Sequence, residues 1–155
     1  MLYRKKVNKK DVLYILKHLR QEDKHEAIIQ KGENYIRECL KDIMSFKNSA
    51  ILGYDRKKKK PVCIGGIAKN KEQMTGVVWL LSTDEIVDHQ YCLLKNIKAE
   101  LNKADNDCWL LYNVIYKENK LAKRWLSRFG FTFNKIIGLD DFEYFFRKRE
   151  TRGLA

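Results

Sequence analysis

The sequence has one proline, four scattered cysteines and no long apolar run. Cys39, Cys63, Cys92 and Cys108 form no CxxC pair, which excludes the usual dithiol redox motif and makes a zinc site an unexpected reading. His18, His25 and His89 show no ligand spacing either, so no metal is expected. At 155 residues the chain can bury roughly two thirds of its unfolded surface, and no disulfide scaffold is needed to hold it. Four reduced thiols in a cytosol-like compartment are the expectation. The longest uncharged run, Gln73 to Thr83, is too short to span a bilayer, and the opening MLYRKKVNKK lacks the apolar core of a signal peptide. A soluble, unprocessed, cytoplasmic protein is expected. Since no repeat, linker or low-complexity segment interrupts the sequence, it reads as a single domain over residues 1–155.

Acidic residues are in deficit: 32 Lys and Arg face 20 Asp and Glu, a formal net charge of +12. Such a balance favours polyanions, whether nucleic acid, acidic lipid or a phosphorylated cofactor. The lysines are nevertheless dispersed. The densest run, Arg56 to Lys60, has two readings, a nucleic-acid or localisation patch and the solvated tip of a hairpin.

The apolar pattern alternates between strand and helix. Met1 to Lys6 reads as a strand, and Asn8 caps a helix with Val12, Ile15, Leu16 and Leu19 on its inner face. Arg20 to Gln30 is rich in acids and bases; if helical, it sets Asp23 and Glu26 one turn apart and pairs Arg20 with Asp23 on a solvated face. Gly32 breaks the pattern before a helix from about Glu33 to Phe46. Ser49 to Tyr54 and Val62 to Lys69 form a hairpin, with Gly65 and Gly66 marking a bulge or a close backbone approach. Val77 to Leu81 is an apolar strand. Ser82 and Glu85 then have the spacing of a capping box, opening a helix that carries Ile86, Leu93, Leu94, Ile97 and Leu101. Trp109 to Ile115 is a buried strand, and Thr132 to Lys135 with Phe142 to Arg147 form a closing hairpin. Trp79, Trp109 and Trp125 each fall in an apolar run and are expected to face the core.

The best-marked segment is Leu110 to Phe131, where a strand feeds a short amphipathic helix bearing Leu121, Ala122, Trp125, Leu126 and Phe129 on one side. Asn119 stands at the N-cap position, and Gly130 stands where the chain must leave the last turn. The pattern Asn-x-x-Ala-x-x-Trp-Leu-x-x-x-Gly-Phe, from Asn119 to Phe131, resembles the fifth strand and fourth helix of the GNAT (N-acetyltransferase) superfamily. VVWLLSTDE at Val77 to Glu85, HLRQEDKHE at His18 to Glu26 and FEYFFRKRE at Phe142 to Glu150 resemble the GNAT-like proteins of tailed phages. Some of these are internal virion proteins and others acetyltransferases.

The resemblance implies an α/β, single-domain GNAT-like fold: a mixed, mostly antiparallel sheet of six to seven strands, about four flanking helices, and strands splayed at the centre. It implies acetyl-CoA over Leu80, Leu81, Ser82 and Thr83 and beside Asn119. An acceptor amine would lie near Glu26 and Asp23, either of which can remove a proton through water. The family's usual tyrosine acid falls at Leu126, which cannot donate, leaving Tyr116 and Tyr112 on the preceding strand as substitutes. The pyrophosphate loop also departs from the family pattern. Where glycines normally expose bare amides at a helix N-terminus, Ser82 to His89 has no glycine and three acids. If Ser82 and Glu85 cap that helix, the donors a diphosphate needs are already satisfied.

Two functions follow. One is an acyl-CoA-dependent N-acetyltransferase acting on an amine. The other is a non-catalytic phage or virion component of the same fold, binding a phage or host protein or nucleic acid, in the bacterial cytoplasm or the virion.

Overall fold

The computed structural model describes Met1 to Arg149; Glu150, which ends one of the stretches quoted above, and the remainder of the expected 1–155 domain lie outside the described residues. The elements run β1 (Leu2–Lys5), α1 (Lys9–Lys17), α2 (Gln21–Lys31), α3 (Tyr35–Ser45), β2 (Ala50–Asp55), β3 (Lys60–Asn70), β4 (Thr75–Ser82), a six-residue 3-10 segment (Asp84–His89), α4 (Gln90–Ala104), β5 (Leu110–Tyr116), α5 (Lys120–Arg128), β6 (Thr132–Ile136) and β7 (Leu139–Lys148). The seven strands form one mixed sheet in the order β1-β2-β3-β4-β5-β7-β6. The described residues contain five helices, in keeping with the expected count of about four; the acid- and base-rich segment after Leu19 is a full helix, α2.

The chain divides into two compact units. The first comprises Met1–Ile67 and Trp79–Asn96; the second comprises Ala68–Val78 and, among the described residues, 97–149. In the first unit, Asn8 opens α1: its Oδ1 accepts from the Asp11 amide at 2.9 Å while its Nδ2 donates to the Asp11 carboxylate at 2.7 Å. This reciprocal cap satisfies an N-terminal donor that the helix itself cannot. Val12, Ile15 and Leu16 then project at helical spacing into a cluster with Ile43 of α3, Leu52 of β2 and Ile64 of β3. Each such side chain contributes about 1.5–3 kcal/mol by leaving water, and their contiguity holds α1 and α3 on the hairpin.

The hairpin β2–β3 is antiparallel, with an irregularity in its register at Gly53/Tyr54 rather than at Gly65 and Gly66. Those two glycines mark close approach. A Cβ on Gly65 would sit 2.7 Å from the Trp79 carbonyl oxygen, and one on Gly66 would sit 2.7 Å from that of Ser49.

In the second unit, β5, β7 and β6 are successive antiparallel neighbours. Phe145 of β7 packs edge-on against Phe131 with ring centroids 5.4 Å apart. Trp125 is buried, as expected, but Trp109 is 45% exposed, because it stands at the strand's entry with its indole N–H donating to the Gln73 carbonyl at 3.0 Å. Both ends of α5 carry the punctuation expected of them. Asn119 Oδ1 accepts from the Ala122 amide at 3.5 Å. Gly130 has φ +84°, and the Gly130 and Phe131 amides return to the Ser127 and Leu126 carbonyls, the two bonds of a Schellman stop.

Candidate functional site

Several buried polar groups of the first unit, Arg20, Asp23, Ser82 and Thr83, meet at the end of β4. Ser82 does not cap the following helix; it remains in the strand, 1% exposed. Its amide donates to Asp23 Oδ2 at 3.0 Å, and its hydroxyl lies 3.3 Å from the same oxygen. Its carbonyl accepts from the Arg20 amide at 2.9 Å, and Leu19 bridges Thr83 in antiparallel fashion. The expected capping box is therefore corrected. A carboxylate from α2 competes for the serine and wins, since it offers a charged acceptor in a dry environment where a solvated Glu85 would offer less. The Glu85 carboxylate turns instead to Lys58 Nζ, at 2.7 Å.

Asp23 and Arg20 form the expected pair, 3.6 Å apart, but it is buried rather than solvated: Asp23 is 4% and Arg20 7% exposed. Burial pushes the Asp23 carboxyl up to about 6, while the Arg20 guanidinium and the two Ser82 donors act in the opposite direction. Asp23 thus changes charge near neutrality. Glu26 lies one turn further along α2 and is half-buried.

Leu80 and Leu81 precede Ser82 on β4, both half-buried, and Leu81 packs on the α1–α3 core. Thr83 is 4% exposed; its amide donates to the Val62 carbonyl at 2.9 Å, and its hydroxyl has no hydrogen-bond partner among the described residues. Such a group is normally satisfied, which sets this hydroxyl apart among the described residues.

The segment after Thr83 carries its acids on a 3-10 turn. Lys58, from the β2–β3 tip, reaches Glu85 and lies 4.0 Å from Asp88. Asp55 accepts from the Lys58 amide at 3.0 Å and meets His89 Nε2 at 3.0 Å, and these two contacts hold its carboxyl below the usual range. Sequence reasoning missed the Asp55–His89 pair. The residues are 34 apart, and the only local signal was an Asp opening a turn.

The other expected residues lie in the second unit. Tyr116 ends β5, half-buried, its ring 6.2 Å from that of Phe142. Asn119 is 3% exposed, and its amide donates to the Tyr116 carbonyl at 2.9 Å. A further residue, Asn113, was not anticipated. The parallel register of β4 and β5 runs Thr75↔Leu110, Gly76↔Leu111, Val77↔Tyr112. Immediately beyond it, Asn113 Nδ2 donates to the Val78 carbonyl at 2.8 Å and Asn113 Oδ1 accepts from the Val114 amide at 2.7 Å. One side chain occupies two backbone groups where the strands' own pairing would otherwise continue. Asn in the middle of an apolar strand was the available signal. Among the described residues no group of three His, Cys, Asp or Glu could hold a metal ion, and no helix is long and apolar enough to cross a membrane.

The seven-stranded mixed sheet, with three helices between its first and second strands and a parallel β4–β5 register, is an α/β fold that matches solved GNAT-family acetyltransferases. Solved structures agree along nearly the whole chain. A GNAT-family acetyltransferase from Streptococcus pneumoniae superposes with a TM-score of 0.63 at 13% identity, covering 97% of this chain and 100% of that one. A spermidine N-acetyltransferase from Vibrio cholerae, in complex with CoA and spermine, gives a TM-score of 0.67 at 10% identity, covering 96% and 95%. A GNAT-family acetyltransferase from Bacillus anthracis gives 0.67 at 13% identity, with the same coverage. No family model matches the sequence, and no curated protein matches it significantly. At these identities the likeness establishes the fold.

Proposed function

We propose that this protein is an acyl-CoA-dependent N-acyltransferase acting on an amine. The observation that carries this reading is the agreement in fold with acetyltransferases over at least 95% of both chains, one of them holding CoA and spermine. Fold alone does not confer activity, so the residues at the end of β4 must also suit the chemistry.

The fit of an acyl-CoA to these residues is uneven but favourable at the acyl end. The Ser82 amide is engaged by Asp23 of α2, its carbonyl by the Arg20 amide just before α2, and the Thr83 amide by β3, so these backbone groups are not offered to a ligand. The buried Thr83 hydroxyl is offered, and Leu80 and Leu81 supply an apolar wall beside it. Toward the diphosphate, Asp84, Glu85 and Asp88 are unfavourable, although Lys58 neutralises part of that charge. Leu80, Leu81 and the Thr83 hydroxyl would therefore hold the acyl arm. Bound acetyl-CoA supplies the acyl group and a thiolate that leaves with the electron pair of the C–S bond.

The chain's own part is to bind the amine and remove its proton. Glu26 takes that proton, directly or through one water, and Asp23 is the positioning residue, fixing α2 to the end of β4 through Ser82. Asn119 and Tyr116 belong to the second unit, and their expected roles are tested separately by variants. The phage branch suggested by the sequence is the finer form of this proposal.

The test is acetyl transfer from acetyl-CoA to a panel of amines that includes spermidine, aminoglycosides and Lys-bearing peptides, followed by release of free CoA thiol. Turnover that Glu26→Gln lowers by roughly 100-fold or more, with the fold intact, is the expected result. No thiol release with any amine class would leave the non-catalytic phage-component reading instead.

A further inference from the structure

The first unit carries a rim of alternating cations and rings that acyl transfer does not use. On the paired strands β1 and β2, Tyr3 stands opposite Tyr54, their rings meeting edge to face with centroids 5.7 Å apart. The Arg56 guanidinium lies 3.7 Å over the Tyr3 ring, and Lys5 Nζ lies 4.3 Å over the Tyr54 ring. Arg56, Tyr3, Tyr54 and Lys5 thus follow one another along the two strands.

The acids nearest this rim are turned elsewhere. Asp55 is buried against the Lys58 amide and His89. Asp11 is held by Lys5 and Asn8, and Glu85 by Lys58. Lys58 and Lys5 are thereby neutralised in part, while Arg56, Lys57 and Lys59 are exposed at the hairpin tip beside the start of β1. A solvated turn needs polarity but no aromatic partner, whereas here the guanidinium is held over a ring. A nucleobase stacks on such a fixed guanidinium plane or on a ring face, and neighbouring lysines meet its phosphates. Charge complementarity therefore selects a polyanion, and the interleaved rings select one whose bases are unpaired.

We propose that the β1–β2 rim, with Arg56 and Tyr3 as its stacking pair and Lys57 and Lys59 as phosphate contacts, binds single-stranded nucleic acid. This surface is independent of the acyltransferase reading.

The test is fluorescence anisotropy of labelled oligo(dT) and oligo(U), against a duplex of equal length, across a salt series. Tighter binding of the single strands is expected, with affinity falling as salt rises. Lys57→Ala combined with Lys59→Ala should reduce the slope of log K against log salt by about 1.4, at roughly 0.7 per phosphate contact. Arg56→Ala should weaken single-strand binding by roughly 5- to 150-fold, the range of one lost base stack. Tyr3→Leu should do the same, and Arg56, being exposed, keeps the test valid if Tyr3→Leu does not fold. The control Lys41→Ala with Lys47→Ala, on and just after α3, should leave the slope unchanged. Equal affinity for duplex and single strand, heparin competition combined with indifference to Arg56→Ala, an equal effect of the α3 control, or no binding would each overturn the proposal.

Discussion

The Asp23 carboxylate and the Ser82 amide meet at 3.0 Å across 59 residues of sequence, both buried, and this contact fixes the start of α2 to the end of β4. A carboxylate placed there is displaced from water, and its folded-state value of about 6 lies above the ordinary 3.8. A raised folded value means that the native state binds the proton more tightly than the unfolded chain does. The associated stability is fully present below the unfolded pKa and is lost as pH rises through about 6. Denaturant unfolding of the native protein and of Asp23→Asn should therefore diverge: from about pH 4 to about pH 7 the native protein loses about 2–3 kcal/mol relative to the variant. Taking the difference removes the titration of Asp11, Asp55, Glu85 and Asp107, whose lowered values act at lower pH and in the opposite direction. A difference that stays constant with pH, or that grows in favour of the native protein, would contradict the buried placement of Asp23.

Gly65 tests the sheet's interior. A methyl group there would stand 2.7 Å from the Trp79 carbonyl oxygen, a backbone atom that cannot swing aside. Gly65→Ala should cost roughly 1–3 kcal/mol, read as a lower denaturant midpoint at unchanged slope. Gly130→Ala meets no atom within 4 Å, so its cost should come from the φ of +84° alone, about 1 kcal/mol.

Asn113 is the test of the β4–β5 pair. Asn113→Val keeps strand propensity but removes the donor to the Val78 carbonyl and the acceptor for the Val114 amide. A loss of about 1–3 kcal/mol is expected, with faster hydrogen exchange at Val114. An unchanged exchange rate there would show that the side chain does not hold those two groups in solution.

Much of this architecture was legible because its determinants are local. Asn8, Asn119, Gly130 and the β2–β3 hairpin are set by residues within a few positions of one another, and each element lies where capping and turn chemistry put it. The candidate site was legible only in part. Ser82 and Glu85 have capping-box spacing, yet Asp23 takes the serine and Lys58 takes the glutamate. No window of local sequence contains those partners. Trp109 misled for a related reason: an apolar run predicts burial, but Trp109 precedes β5 and stands at the strand's mouth, where the indole N–H meets the Gln73 carbonyl. The Asp55–His89 and Asn113–Val78 contacts join residues 34 and 35 apart, so the packing of the fold, not local spacing, brings each pair together.

Asn119 separates structure from chemistry. Asn119→Ala should lose about 1 kcal/mol through the cap of α5, whereas Asn119→Ser keeps a capping oxygen and should lose less. If the amide also meets acetyl-CoA, Asn119→Ser raises the KM for acetyl-CoA while the protein stays folded. Tyr116→Phe, which keeps the ring against Phe142, should lower kcat if the hydroxyl protonates the leaving thiolate. Unchanged kinetics in both variants would confine these residues to structural roles.

The acyltransferase reading stands or falls on acetyl-CoA binding. Isothermal titration calorimetry, supported by thermal unfolding, reads it without reference to any acceptor amine. Saturable one-to-one binding and a rise in unfolding temperature are expected, equivalent to about 2.7 kcal/mol at a hundredfold excess over the dissociation constant. Thr83→Val should weaken that binding while leaving the fold intact. No heat and no thermal shift at millimolar acetyl-CoA would contradict the acyltransferase reading.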